Sequence, residues 1–186
     1  MSEPTNVQID EKNCKLSGKY CPECGQKTRL VPIEGIERKK CVKMDEKTGC
    51  GYIDWEPPVF VAVAIVPGKR TDKRTIVLVQ RANKKWCMPA GFLNTGEHPS
   101  AASVRETGEE GGMTITAGEL PVRILTPPGR NQNLMFYFAD SSDGVIQHGS
   151  DALDAKEFAA DELPEIAFPL HKLVIDQFFA GEFDKE

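Results

Sequence analysis

Three glutamates, Glu106, Glu109 and Glu110, fall at positions i, i+3 and i+4, so on a helix their carboxylates share one face. Like charges that close repel unless cations neutralise them. Hard divalent ions prefer carboxylate oxygens, and Mg²⁺ in particular keeps waters and bridges to phosphates. Arg105 stands one turn before Glu109 and can also reach back to Glu97, orienting the carboxylates from behind. A solvated acidic helix face with an Arg–Glu pair has the same pattern. A second group is built of sulfur. Cys21-Pro-Glu-Cys24-Gly25 is a tight knuckle, and Cys41 to Cys50-Gly51 repeats the cysteine–glycine ending with eight intervening residues in place of two. Four thiolates meet the tetrahedral preference of Zn²⁺, and a closed site of that kind contributes folding energy rather than chemistry. Four free thiols, or a redox pair at Cys21 and Cys24, are the other readings. Cys14 lies near enough to replace a lost ligand. Cys87 has no histidine near it in sequence and reads as a packed small apolar residue.

The elements that must position these groups alternate between strand and helix signals. Val59 to Val66 is β-branched and apolar throughout, as in a strand buried on both faces; Thr75 to Gln80 reads as its hairpin partner across a charged turn. Trp86 to Phe92 is extended around Pro89. His98 to Gly111 reads as the glutamate-bearing helix, with Pro99 suited to its first turn and Gly111-Gly112 stopping it. Val122–Leu125 and Leu134–Ala139 read as further strands, and Pro169 to Gly181 has Leu170, Leu173, Val174, Phe178 and Phe179 at helical spacing. The expectation is an α/β (α+β) fold with a mixed sheet flanked by helices. Before it, Lys19 to Tyr52 lacks the large apolar side chains for a core of its own and needs a staple. This gives three segments: a flexible N-terminus over 1–18, a metal-stapled ribbon over 19–54, and a main domain over 55–186.

The chain has 186 residues and a net charge of −5. Residues 57–139 carry ten basic and six acidic side chains, residues 140–186 three and twelve. An acidic protein with a locally basic middle lacks a broad nucleic-acid footprint but suits a small phosphorylated ligand. The basic run over 36–47 sits in a neutral ribbon, and Tyr20 is the one aromatic residue in 1–50, so a nucleic-acid adaptor has no base-stacking platform there. The longest apolar run is too short for a membrane span and the N-terminus has no signal-peptide core, which points to the cytoplasm.

Gly91, Glu97, Arg105, Glu106, Glu109, Glu110 and Gly112, with Met113 after them, fit the frame G-x5-E-x7-R-E-U-x-E-E-x-G-U, where U is bulky and apolar. The segment resembles the Nudix box, with Thr107 replacing the apolar residue at the first U. Residues 19–52 resemble the zinc ribbon that precedes a subset of Nudix hydrolases, including NADH and FAD pyrophosphatases, although the second knuckle there is usually C-x2-C. The resemblance implies a Nudix α/β/α sandwich and metal-dependent hydrolysis of a nucleoside diphosphate linked to another moiety, such as ADP-ribose, FAD or NADH, into two monophosphates. It implies Mg²⁺ (or Mn²⁺) held by Glu106, Glu109, Glu110 and the Gly91 carbonyl, and structural Zn²⁺ on Cys21, Cys24, Cys41 and Cys50. Glu109 or Glu110 then serves as ligand and base and Glu97 orients, with Asp154, Glu157 and Glu162 as further base candidates from loops. Arg81, Arg130 and Lys84, with Lys85, are candidates for phosphate contacts. A homodimer is compatible with the family. The signature S-Q-P-W-P-F-P-x-S of NADH pyrophosphatases is absent after Met113, which argues against a strict NADH enzyme. Phe136, Tyr137 and Phe138 read either as a stacking wall or as core. The alternative is a Nudix-like sensor that binds ADP-ribose or a dinucleotide without turnover.

Overall fold

The computed structural model describes residues 11, 14–42, 49–149 and 151–184. The chain divides into two compact units, residues 1–57 and 58–186. In the first, β1 (Leu16–Tyr20), β2 (Lys27–Ile33), β3 (Ile36–Lys40) and β4 (Ile53–Asp54) form one antiparallel sheet in chain order. The β2–β3 hairpin turns on Glu34 and Gly35, both at positive φ (51° and 79°), the backbone that a tight two-residue hairpin demands. Strand β1 begins inside the segment expected to be flexible; residues 1–10, 12 and 13 lie outside the described residues. Buried apolar side chains here are Cys21, Val31, Cys41 and Val42, so two of the four are cysteines and the apolar core is slight. The basic run is partly neutralised on β3 and β4: Lys39 pairs with Asp54 and Glu56, Lys40 with Glu11, and Arg38 lies 4.8 Å over the Trp55 ring. Residues 43–47 of that run lie outside the described residues.

The second unit contains β5 (Val59–Ile65), β6 (Thr75–Gln80), β7 (Trp86–Cys87), β8 (Ala90–Phe92), α1 (Pro99–Gly111), β9 (Thr114–Ala117), β10 (Arg123–Leu125), β11 (Gln132–Asp143), β12 (Asp154–Ala159) and α2 (Pro169–Phe179). One sheet runs β10-β11-β5-β8, with β9 also on β11, and a second runs β12-β6-β7. The β11–β5 pair is parallel and the others are antiparallel, so the sheet is mixed. The uniformly apolar β5 divides its side chains by parity. Val63 and Ile65 join a core with Ile76, Leu78, Phe136 and the α2 residues Val174, Ile175 and Phe178. Ala64 and Val66 join another with Val77, Met113 and Ile115, against which Val104 of α1 packs. Alternate residues of one strand thus face two helical layers, which explains why no polar alternation is visible in it.

Two expectations change. The hairpin between β5 and β6 is only a corner: Val66 and Val77, and Gly68 and Thr75, bond across it, and the strands then separate into different sheets. Beyond the exposed Val59 and Phe60 at the start of β5, each strand is buried on both faces and takes its ladder partners elsewhere, β5 from β11 and β8, β6 from β12 and β7. The extended Trp86 to Phe92 stretch likewise splits into β7 in one sheet and β8 in the other. The uneven charge along the chain has a structural counterpart, since the acidic tail pairs with the basic middle through Arg70–Glu162, Lys73–Asp161, Arg74–Asp184, Lys85–Glu165 and Arg123–Glu182. Among the described residues no helix is long and apolar enough to cross a membrane.

Candidate active site

Helix α1 starts at an N-cap on His98, whose Nδ1 accepts from the Ser100 N–H at 3.3 Å, and stops at Gly112 in the left-handed region (φ 67°). Such a stop favours glycine. Thr107, where an apolar residue is expected, is fully buried, and its hydroxyl donates to the Ser103 carbonyl at 2.7 Å. A buried hydroxyl satisfied within its own helix costs little packing.

Arg105 organises the acidic face. Its Nε and Nη2 donate to the two Glu97 oxygens at 2.8 and 2.9 Å, Nη2 also to the Phe92 carbonyl at 3.1 Å, and Nη1 to Glu106 at 2.6 Å and Glu109 at 2.9 Å. The planar guanidinium fork makes this set of contacts possible. The guanidinium, helped by the Asn94 N–H, holds the Glu97 carboxyl down to about 2. Glu110 goes elsewhere: it is 6% exposed and accepts from the Ala90 N–H at 2.9 Å. Burial, reinforced by the charge of Glu106, pushes its carboxyl up to about 7 against the pull of that N–H. Gly91 lies so close that a Cβ built on it would stand 2.0 Å from the Glu106 carboxylate. The backbone Ala90–Gly91 therefore touches two of the three glutamates, and the absent side chain permits it.

The three carboxylates are not gathered to one point. Among the described residues, the group whose ligand atoms all lie within 4.8 Å of one another is the cysteine set. Glu106 and Glu109 converge on a single Arg105 nitrogen while Glu110 faces β8. The donors are nonetheless hard oxygens on one helix face, with the Gly91 backbone against them, a set suited to a divalent ion that keeps waters.

Ala90, Gly91 and Phe92 also line a cavity of about 290 Å³. Arg81, Arg130 and Gln132 line it, together with Phe168 and His171. Arg81 lies 5.4 Å over the Phe168 ring. Among the described residues neither arginine forms an ion pair with a carboxylate. Lys84 does not line the cavity; it turns the chain at positive φ (67°), and its carbonyl accepts from Gln80. Lys85 pairs with Glu165. Asp154 pairs with Lys156, Glu157 accepts from the Lys69 and Arg70 N–H groups and the Thr75 hydroxyl, and Glu162 pairs with Arg70. Phe136 and Tyr137 are buried, and Phe138 packs on the core between Phe178 and Phe183, so these rings build the interior. The aromatic rings at the cavity are Phe92 and Phe168, the latter brought there because Trp86 and residues 165–167 exchange backbone bonds at 2.9 and 2.7 Å. Sequence reasoning missed Phe168 with Gln132 and His171; only the Phe168-Pro169 entry into α2 hints at it.

Cys87 is fully buried, which pushes its thiol up to about 11. In the first unit the four cysteine sulfurs meet, with Cys21–Cys50 and Cys24–Cys41 each 3.5 Å apart. Zinc–sulfur bonds of about 2.3 Å in a tetrahedron require sulfurs about 3.8 Å apart, so the set fits the ion. Gly25 and Gly51 close the two knuckles at φ 72° and 82°, each N–H bonding a cysteine carbonyl. The knuckles thus match in form, and residues 43–48 of the longer spacing lie outside the described residues. The Gln26 backbone, with Cys41, lowers the Cys24 thiol to about 7, while burial raises Cys41 to about 12.

The chain is similar to known proteins along most of its length. It is 31% identical over 109 residues to an ADP-ribose pyrophosphatase of Methanocaldococcus jannaschii, covering 54% of this chain and 64% of that one. It is 25% identical over 172 residues to the NAD-capped RNA hydrolase NudC of Deinococcus radiodurans, covering 88% and 58%. The chain thus spans less than two thirds of the length of these curated relatives. The crystal structure of a NUDIX hydrolase from Nitrosomonas europaea superposes with a TM-score of 0.74 at 26% identity, over 88% of this chain and 91% of that one. The family model of the NUDIX domain matches residues 58–179, the unit that carries the glutamate helix, the arginine fork and the cavity, and the chain belongs to the NUDIX family.

Proposed function

We propose that the protein hydrolyses the diphosphate bond of a nucleoside diphosphate joined to another moiety, ADP-ribose, FAD, NADH or a similar compound, releasing two monophosphates. The observation that carries this reading is the contact of Gly91 with Glu106, held by the Arg105 fork, beside a cavity lined by two arginines that form no ion pair among the described residues. Glu106, Glu109, Glu110 and the Gly91 carbonyl are the groups to hold Mg²⁺ or Mn²⁺. When bound, such an ion neutralises diphosphate charge and makes water a better nucleophile. Arg105 sets the spacing of Glu106 and Glu109, and Glu97 fixes Arg105 through two bonds. Glu109 or Glu110 takes the proton of the attacking water. Arg81 and Arg130 meet the phosphate charge at the cavity; Lys84 drops out of that role.

The ADP-ribose pyrophosphatase relative supports ADP-ribose as the first substrate to try. The NudC relative acts on NAD-capped RNA, but the NADH-pyrophosphatase signature is missing here and six of the ten basic residues in 57–139 pair with carboxylates, which favours a small nucleotide. The cysteine set holds structural zinc, and four thiols at one point suit a reducing, cytoplasmic setting. The test is chromatography of products from ADP-ribose, FAD, NADH, nucleotide sugars and nucleoside triphosphates incubated with Mg²⁺ and either the protein or its Glu109→Gln variant. Two monophosphates from one compound, lost in the variant, support the reading. No cleavage by folded, zinc-loaded protein contradicts it and favours a binding protein.

A further inference from the structure

The cysteine set has a pairing that a structural zinc site alone does not need. Cys21 and Cys41 are buried, 2% and 0% exposed, whereas Cys24 and Cys50 are exposed. The 3.5 Å sulfur contacts join Cys21 to Cys50 and Cys24 to Cys41. Each contact therefore sets a buried cysteine against an exposed one, and each runs between the two knuckles. The redox pair that sequence spacing suggests, Cys21 with Cys24, would lie inside one knuckle instead. The first knuckle lies between β1 and β2 and the second between β3 and β4. A bond inside either knuckle leaves the two unjoined. The cross-contacts tie them together at positions 29 and 17 apart in the chain, and bridges over longer spans constrain the unfolded chain more. Such ties matter here because, among the described residues, Val31 and Val42 are the other buried apolar side chains of this unit, too small a core to hold a sheet unaided. A disulfide sets its sulfurs about 2.05 Å apart, so each contact has about 1.5 Å left to close.

We propose that the cysteine set is a redox modification site, oxidised by a hydroperoxide to two disulfides, Cys21–Cys50 and Cys24–Cys41, which then hold the first unit together. The proposal rests on the zinc reading for the resting state alone. In each pair the exposed thiolate, Cys24 or Cys50, attacks a peroxide oxygen. The O–O bond breaks, the sulfur is oxidised to a sulfenic acid, and the other oxygen takes a proton and leaves as water. The buried partner, Cys41 or Cys21, attacks that sulfur; the S–S bond forms, the S–O bond breaks, and the hydroxide takes a proton and leaves as a second water. Two molecules of hydrogen peroxide thus take four electrons from four thiolates, consume four protons, give four waters and free the Zn²⁺. The test treats zinc-loaded, full-length protein with a few equivalents of hydrogen peroxide. A chromophoric chelator reads released zinc, mass spectrometry of unreduced peptides maps the bridges, and calorimetry follows the first unit. One zinc should appear per two peroxides consumed, with the two cross-knuckle bridges as the main products. The transition of the first unit should persist in oxidised, zinc-free protein, vanish when a dithiol reductant and chelator are added, and return when Zn²⁺ is resupplied to the reduced protein. A Cys21–Cys24 bridge, a bridge to Cys14 or Cys87, or sulfinic and sulfonic acids in place of bridges overturns the proposal. So does zinc retained through oxidation, or a first unit that unfolds on oxidation or stays folded after reduction and chelation. Protein that carries no zinc but forms both cross-knuckle bridges sinks the zinc reading alone; zinc-bearing protein that forms other bridges sinks this proposal alone.

Discussion

A methyl group added at Gly91 would stand 2.0 Å from one Glu106 oxygen, 2.1 Å from its Cδ and 2.4 Å from the other oxygen. Ordinary contacts begin near ~3.5 Å, so Gly91→Ala creates an overlap of about 1.5 Å with the whole carboxylate. Gly91 lies outside the left-handed region and pairs with Ala62 in β8, so alanine suits the backbone and removes about 0.4–1 kcal/mol of unfolded-state freedom. The carboxylate is the end of a flexible side chain and yields before the strand does, breaking its 2.6 Å bond to Arg105. A charged hydrogen bond lost at a partly buried site costs about 1.5–3 kcal/mol. The net destabilisation is then about 1–2 kcal/mol, a fall in Tm of roughly 2–8 °C. Activity should fall far more, by about 10²-fold or beyond, because a positioned carboxylate leaves the phosphate site. Melting by circular dichroism and product formation under saturating Mg²⁺ measure the two effects separately. Turnover within about three-fold of the parent protein, or a loss of activity that merely tracks unfolding, would refute the reasoning.

Other outcomes follow from the same geometry. Arg105→Lys cannot serve Glu97, Glu106, Glu109 and the Phe92 carbonyl from one ammonium, so kcat should drop about 10–100-fold with little change in fold, read by kinetics and a melt. Removing metal from the cysteine set with a chelator, or Cys24→Ser, should unfold the first unit while the second keeps its melting transition, seen by calorimetry and metal analysis. Because the thiols must lose protons to bind zinc, metal affinity should weaken as pH falls. His171 gives a second pH effect. Its folded value of about 3 lies below the unfolded ~6.5. Between these values the unfolded chain binds more protons, so stability is fully present above pH 6.5 and is lost as pH falls towards 3. From pH 6.5 to 4 this is at most about 3 kcal/mol, and denaturant titrations should show a flatter acid limb in His171→Phe.

The glutamate helix was legible because its information is local. Gly91, Glu97, Arg105, Glu106, Glu109 and Glu110 sit on β8, one loop and one helix, where spacing brings Glu106 and Glu109 to Arg105 but does not reveal that Glu110 turns to the Ala90 N–H. The cysteine knuckles were legible for a similar reason, since each is a short turn ending in glycine, although only the fold brings the two together. The cavity was not legible: Arg81, Arg130, Gln132, Phe168 and His171 come from separate parts of the chain, joined by the pinning of residues 165–167 to Trp86. Nor does an apolar strand reveal its neighbours. Val59 to Val66 reads as doubly buried, but its pairing with β11 and β8 rather than β6 depends on which edges remain after all strands are placed. The three consecutive aromatics of β11, Phe136 to Phe138, were ambiguous between wall and core because parity cannot say which face holds a ligand.

The central claim is that the acidic face of α1 and the adjoining cavity together cleave a diphosphate. Phosphorus NMR of ADP-ribose with the protein and Mg²⁺ tests it most directly. The diphosphate resonances should be replaced by those of two monophosphates, AMP and ribose 5-phosphate, and should persist with Glu109→Gln or with Mg²⁺ chelated. An unchanged spectrum for ADP-ribose and then for FAD and NADH, from folded protein, would contradict the account.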